Sequence, residues 1–311
     1  MNRIYRSEVH RQEWLERGYS RFPLLSRSEA AELLVRLDAE REASCSQPGA
    51  GRHIKSGCHS SMEDGDLGYR RRAFEIVRSV FAPRLEPILD DYQIIIGGTF
   101  LKSPGAVEVP PHADWVFTEN PADVSLNVWC PLIDVDDSNS TLRLLEGSHR
   151  IIAEHICAPR TANFWTGYEQ VLRDESTPME LGAGEAVIFD SNVVHSSRPN
   201  MSNGRRPAIA FICVPSSSRP AIYKPDPEGR RFQVFDMSGD AFFDHSSAEL
   251  FNGEIRSPSL GYVPDRNRPV SESEFRRHLR NGPALRRRML SRREERPGKL
   301  AALAKWVAGR R

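Results

Sequence analysis

Two short stretches of the chain carry side chains whose types and spacing suit a metal ion. His112-Ala113-Asp114 follows a Pro110-Pro111 corner, and His195 ends an apolar run from Ala186 to Phe189 and on through Val193-Val194. On an extended segment, residues i and i+2 point the same way, so His112 and Asp114 can share one cation. His195, on a distant strand, would close the set. Two imidazoles and one carboxylate cover one face of an octahedral metal and leave three positions open, the donor set of mononuclear non-haem Fe(II) oxygenases. An isolated H-x-D is more often a surface turn; here a second cluster accompanies it. After His195 comes SSRPNMSNGR, and then Arg206 opens the apolar strand PAIAFICV. An arginine at a strand start beside the metal strand can grip a carboxylate with two parallel bonds, which lysine does less well. That suits anchoring the far carboxylate of 2-oxoglutarate while its keto-acid end reaches the metal. By spacing alone the anchor is Arg205 or Arg206.

The elements that must position these residues follow from periodicity. Ser26-Arg27-Ser28-Glu29 is a capping box, and Ala30, Leu33, Leu34 and Leu37 recur at helical spacing, which predicts an outer support helix over about residues 27 to 42. Residues 45 to 68 are rich in Gly, Ser and His without periodicity and read as a long mobile loop or lid. From residue 92 onward, short β-type runs follow one another: YQIIIGGTF, the segment around Val107, SLNVWCPLID, TLRLLEG, GEAVIFD, NVVHSS and PAIAFICVP. Closely spaced strands with Gly, Pro and Asp punctuation predict an all-β core with flanking helices, an α+β chain built on a double-stranded β-helix of the jelly-roll or cupin-like kind. Asn127, Trp129 and Pro131 share one face of their strand. Trp129 is expected inward; Asn127 is either a co-substrate or supporting donor or a satisfied core amide. Trp115 and Phe117, beside the ligands, either shape a substrate pocket or belong to the core. His10, His53, His59, His155, His245 and His278 lack partner spacing and are read as surface or structural.

Beyond about residue 246 the strand signal fades. Ser271-Glu272-Ser273-Glu274 starts a helix, Asn281-Gly282 stops it, Pro283 restarts and Pro297-Gly298 breaks again. The division expected is a dioxygenase domain over 1–245 and a basic, mainly helical extension over 246–311. From Arg276 to Arg311 there are 13 Lys and Arg against Glu294 and Glu295, which leaves 30 basic and 40 acidic residues in the body. That tail, with Leu300, Leu303 and Val307 at helical spacing, could touch an anionic surface, but a solvated helix docked on its own domain is the commoner outcome. The acidic body offers no broad basic groove, so no nucleic-acid partner is expected. Five scattered cysteines without a C-x-x-C pair fit neither a disulfide framework nor a thiolate zinc site. No apolar stretch reaches the ~20 residues of a membrane span. A cytoplasmic protein is expected.

At this level the chain resembles the phytanoyl-CoA dioxygenase-like (PhyH) branch of the Fe(II)/2-oxoglutarate-dependent dioxygenases. The likeness runs from GYSRFPLLSRSEAAELL through HADW, NVWCPLIDVDD and LRLLEGSHR to AGEAVIFDSNVVHSSRPNMSNGRRPAIAF, roughly residues 12 to 215. The ordered set is specific, although each motif alone is weak. The resemblance implies His112, Asp114 and His195 as iron ligands and Arg206, with ten residues between it and His195, as the 2-oxoglutarate anchor. It implies that Ser197, at the H-x-S position, and Trp129 lie beside the co-substrate, and that His149 in Gly147-Ser148-His149 is a structural turn. Two departures stand out. Ser138-Asn139-Ser140-Thr141 replaces the family's frequent Asn-Gly turn. Asp114 is kept where related halogenases carry a small residue, so no ligand position is vacated for halide.

What this implies is an oxygenase that takes Fe(II), 2-oxoglutarate and O2, releases succinate and CO2, and hydroxylates an unactivated C–H bond of a small metabolite or natural-product intermediate. Desaturation, cyclisation or epimerisation at the same centre is the first alternative. A non-catalytic cupin-like metal- or ligand-binding protein is the alternative of another class, and a nucleic-acid reader, resting only on the tail, is a third.

Overall fold

Alternation along the strands decides the layering. In the computed structural model, which describes residues 3–45, 54–55, 57–159, 161 and 164–280, the strands are β1 (Tyr19–Pro23), β2 (Ile54–Lys55), β3 (Cys58–Ser60), β4 (Tyr92–Lys102), β5 (Val109–His112), β6 (Leu126–Pro131), β7 (Leu142–Leu144), β8 (Thr177–Pro178), β9 (Glu185–Asp190), β10 (His195–Ser197), β11 (Arg206–Pro215), β12 (Ala221–Pro225), β13 (Arg231–Asp236) and β14 (Ser259–Pro264). They form a seven-stranded sheet ordered β1-β9-β6-β11-β4-β3-β2, a four-stranded sheet β5-β10-β7-β8, and a three-stranded sheet β12-β13-β14. Every pairing between named strands is antiparallel. The large and the four-stranded sheets face each other as the expected barrel.

Leu126, Val128 and Cys130 on β6 and Ile209, Phe211 and Cys213 on β11 point outward, into a core shared with helices α1 (Glu8–Arg17), α2 (Arg27–Cys45) and α3 (Leu67–Leu85). Their neighbours Trp129 and Ala208 point inward with Phe189 of the same sheet and pack with Leu142 and Leu144 from the opposite sheet. Both faces are therefore covered, which is why β6 is buried at all six positions. α2 starts as read from the sequence: Ser26 Oγ accepts from Glu29 N, and the Glu29 carboxylate accepts from Ser26 N at 2.7 Å. Ala30, Leu33 and Leu37 face the sheet.

Two expectations change. Within residues 45 to 68, expected as a mobile loop, β3 pairs with the Phe100–Lys102 end of β4, Ser61–Glu63 forms a 3-10 turn, and α3 begins under an Asp66 cap. Such short strands leave no periodic signal; they form because the long β4 would otherwise present unpaired backbone. Residues 46–53 and 56, with His53, lie outside the described residues. Beyond residue 246 a further strand exists, β14, paired with β13. None of its side chains is fully buried and half are exposed, so no apolar run betrays it.

Four short helices complete the described chain: α4 (Glu169–Glu175), α5 (Ala241–Asp244), α6 (Ser247–Asn252) and α7 (Glu272–Arg280). The segment leading into α7 is tied to the body. Asn267 accepts from Ile156 N at 2.8 Å and donates to Ile156 O at 2.9 Å, Tyr168 Oη donates to Val270 O, and Phe275 is buried against Tyr168. Asn281-Gly282, Pro283, Pro297-Gly298 and Leu300, Leu303 and Val307 lie outside the described residues. Among the described residues no helix is long and apolar enough to cross a membrane.

Candidate metal centre

β5 and β10 bring the three expected donors together. His112 and His195 are directly opposed across this pair, and their rings lie 4.1 Å apart. β5 is the edge of its sheet, where Pro110 and Pro111 can sit without a missing N–H disrupting a ladder on both sides. The Pro110 carbonyl is 2.9 Å from His112 Nδ1, and the Val193 carbonyl is 3.0 Å from His195 Nδ1. With each Nδ1–H donating to a carbonyl two residues back, both Nε2 lone pairs are turned toward Asp114. The Nε2 atoms lie 3.8 Å (His112) and 3.7 Å (His195) from the Asp114 carboxylate, and the donor atoms of all three residues are within 4.8 Å of one another. Asp114 is held by its own N–H on the Ser191 carbonyl, and the strand beyond it by Val116 N on Cys157 O. Burial, and then the neighbouring His112, push the His195 pKa down to about 4. A neutral imidazole is the form that binds a metal.

The second cluster lies at the start of β11, in the large sheet. Arg205 points outward and grips Asp38 of α2 with both terminal nitrogens. Arg206 points inward, is buried, and has its guanidinium carbon 5.4 Å from the Trp129 ring centre. Among the described residues its Nε and Nη1 have no hydrogen-bond partner. Burial pushes its pKa down to about 10. Spacing had left the two arginines as alternatives; the buried, unpartnered one is Arg206.

Directly opposite Arg206 on β4 stands a residue that sequence reasoning missed, Lys102. Its Nζ donates to Ser140 Oγ (2.8 Å), Ser197 Oγ (2.9 Å) and the Arg198 carbonyl (2.7 Å). None of these partners is charged. Burial, opposed by Cys58 and Glu108 and aided by the Arg206 charge, brings the Lys102 pKa down to about 8. A signal did exist: Ile96, Gly98, Phe100 and Lys102 share the inward face by period two, and a lysine on that face must meet something polar. The departure at Ser140 is accounted for too. Ser140 takes the left-handed φ of 73° where glycine is usual, and its hydroxyl both accepts from Lys102 and donates to the Arg198 carbonyl.

The remaining expected residues divide. Ser197 accepts from Lys102, and Trp129 lies under Arg206. Asn127 donates to Ser191 Oγ, the residue whose carbonyl holds Asp114, so its side-chain bond runs toward the Asp114 segment. Phe117 is core, packed with Ile212, Phe235 and Phe242, whereas Trp115 is half-buried with its ring 4.9 Å from the exposed Phe251. Of the histidines left without a role, His59 pairs with Asp64 at 3.1 Å, and His155 and His245 bond backbone groups.

The model of the family described as "Phytanoyl-CoA dioxygenase (PhyH)" matches residues 27–208. The chain belongs to that family. As a PhyH protein it is an iron- and 2-oxoglutarate-dependent oxygenase. No curated protein matches the chain. Solved structures similar to this PhyH chain include the epimerase SnoN in complex with Fe3+, alpha ketoglutarate and nogalamycin RO, at 19% identity over 68% of this chain and 85% of that one, with a TM-score of 0.49. EvdO2 from Micromonospora carbonacea var. aurantiaca, complexed with 2-oxoglutarate, is 21% identical over 73% and 98%, with a TM-score of 0.46. A non-heme monooxygenase, the ThoJ-Ni complex, is 17% identical over 93% and 98%, with a TM-score of 0.47.

Proposed function

We propose that His112, Asp114 and His195 hold the iron, that Arg206 and Lys102 take the far carboxylate of 2-oxoglutarate with Ser197 and Trp129 beside it, and that the enzyme hydroxylates an unactivated C–H bond of a small, partly apolar molecule. The observation that carries this reading is the buried Arg206 guanidinium with two unpartnered nitrogens, across from a second buried cation whose partners are all neutral. Two such charges in a shielded site are costly unless an anion joins them. A dicarboxylate that also reaches the metal would answer both.

The donor set fits iron: two imidazole nitrogens and one carboxylate oxygen whose ligand atoms lie within 4.8 Å of one another. When bound, the iron would supply the oxidising chemistry with O2 and 2-oxoglutarate. The protein's own part is positional. The carbonyls of Pro110 and Val193 fix the two rings, Asn127 and Ser191 steady the Asp114 segment, and Arg206 with Lys102 sets how far the co-substrate reaches in. Trp115, next in sequence to Asp114, and Phe251 present aromatic rings 4.9 Å apart, which favours a substrate with an apolar face.

The test is succinate release from 2-oxoglutarate with Fe(II) and O2, screened against candidate metabolites, with product mass read in parallel. A gain of one oxygen atom supports hydroxylation. Loss of two hydrogens or no mass change would replace it with desaturation or an isomerising outcome, and no succinate under any condition would overturn the reading of the site.

A further inference from the structure

The thiol nearest this anion well belongs to Cys58. On β3, Cys58 is the register partner of Lys102, and Lys102 is the register partner of Arg206, so the three stand side by side across adjacent strands. Directly opposed residues of an antiparallel pair project to the same face, here the inward face that carries the two cations. Cys58 is held there by its surroundings. Gly57 turns with φ +81°, a Cβ on it would lie 2.9 Å from Ala106, and its carbonyl accepts from Ser103 N. Among the cysteines described as free, Cys130, Cys157 and Cys213 are buried and Cys58 is half-buried.

We propose that Cys58 is a covalent-modification site of the co-substrate pocket, taking small anionic electrophiles whose carboxylate then occupies the place of the 2-oxoglutarate carboxylate at Arg206 and Lys102. The inference rests on the proposed function, because it takes the Arg206–Lys102 well as the co-substrate's anion site. With iodoacetate, the Cys58 sulfur attacks the methylene carbon, a C–S bond forms, the C–I bond breaks, iodide leaves and the thiol proton goes to buffer. The product is a carboxymethyl thioether with one negative charge, beside a guanidinium that has two nitrogens without partners.

The electrostatics support selectivity more than speed. Burial pushes the Cys58 thiol up, while Lys102 and then Arg206 pull it down and Glu63 pushes it up, and the net shift is upward. At neutral pH the thiol is protonated, and reaction with a neutral reagent is slow. An anionic reagent is concentrated by the two cations, an effect that reaches about tenfold or more in a shielded cleft.

The test compares iodoacetate with the neutral iodoacetamide on the intact metal-loaded protein. Cys58 labelling is measured by peptide mass spectrometry with and without 2-oxoglutarate. The expected result is an iodoacetate-to-iodoacetamide rate ratio at Cys58 about tenfold above that of a small-molecule thiol. Labelling should be suppressed by 2-oxoglutarate. The labelled protein should keep its iron but lose 2-oxoglutarate binding, and Cys58→Ser should retain its own starting activity through the same treatment. A rate ratio like that of the free thiol, no labelling of Cys58 in the folded protein, or labelled protein that still binds 2-oxoglutarate would each overturn the proposal. Failure of the underlying reading looks different: 2-oxoglutarate would then neither bind wild-type protein nor protect, while the preference for iodoacetate would persist.

Discussion

Replacing Arg206 by alanine tests the co-substrate well most directly. The guanidinium is buried, lies over Trp129 and has Nε and Nη1 free for an incoming carboxylate. Breaking a buried, charge-assisted pair costs about 3–5 kcal/mol, which at about 1.4 kcal/mol per tenfold is a loss of roughly a hundredfold to a few thousandfold in affinity. Lys102 remains opposite, still charged at neutral pH and 2.9 Å from Ser197, so the lower end of that range is expected. The consequence for stability is specific. With 2-oxoglutarate at 100 times its Kd, wild-type protein should gain about 2.7 kcal/mol, whereas a Kd raised a hundredfold leaves about 0.4 kcal/mol. Without ligand the variant should be no less stable through lost hydrogen bonds, since those two nitrogens make none. The assays are 2-oxoglutarate titration by succinate release and ligand-dependent thermal or denaturant unfolding, with iron content measured alongside. Arg206→Lys should recover only part, because a point charge cannot make the paired contact. Arg205→Ala, which breaks a surface pair with Asp38, should change 2-oxoglutarate affinity little. A large effect from Arg205→Ala with a small one from Arg206→Ala would refute the reasoning, as would unchanged titration in both.

Three further outcomes are expected. One Fe(II) should bind per chain, and His112→Ala, His195→Ala or Asp114→Gly should abolish turnover while leaving far-UV circular dichroism unchanged; full activity in any of them without added ligands would remove that residue from the metal set. Affinity for 2-oxoglutarate should be flat below pH 7 and fall as pH rises through about 8, because the Lys102 pKa is lowered to about 8 and the anion binds only the ammonium form tightly. Lys102→Met should bind more weakly and lose that pH dependence, read from the 2-oxoglutarate KM between pH 6.5 and 9.5. Gly98→Ala should destabilise by about 1–3 kcal/mol in urea unfolding, since a Cβ there would lie 2.0 Å from Ser61 Oγ; wild-type stability would show that the Ser61–Glu63 turn yields freely.

The three candidate metal donors were legible in the sequence, because their spacing is local: an i, i+2 pair on an extended segment and a histidine closing an apolar strand. It determined α2 through the Ser26–Glu29 cap and the strands β4, β6, β7, β9, β10 and β11 through their apolar runs, whose register is pinned once both faces are buried. It placed an arginine within reach of the site but could not say which, since Arg205 and Arg206 point to opposite faces and only the packing of α2, with Asp38 on it, draws Arg205 outward. What Lys102, Ser140 and Cys58 stand against was decided by tertiary structure. Lys102 lies 95 residues from Ser197 and 38 from Ser140, and Cys58 joins them only because β3 completes the edge of β4. Strand pairing across such separations is fixed by closure of the whole barrel. β14 stayed hidden for a related reason: none of its residues is fully buried, and its backbone partner β13, not its side chains, makes it a strand.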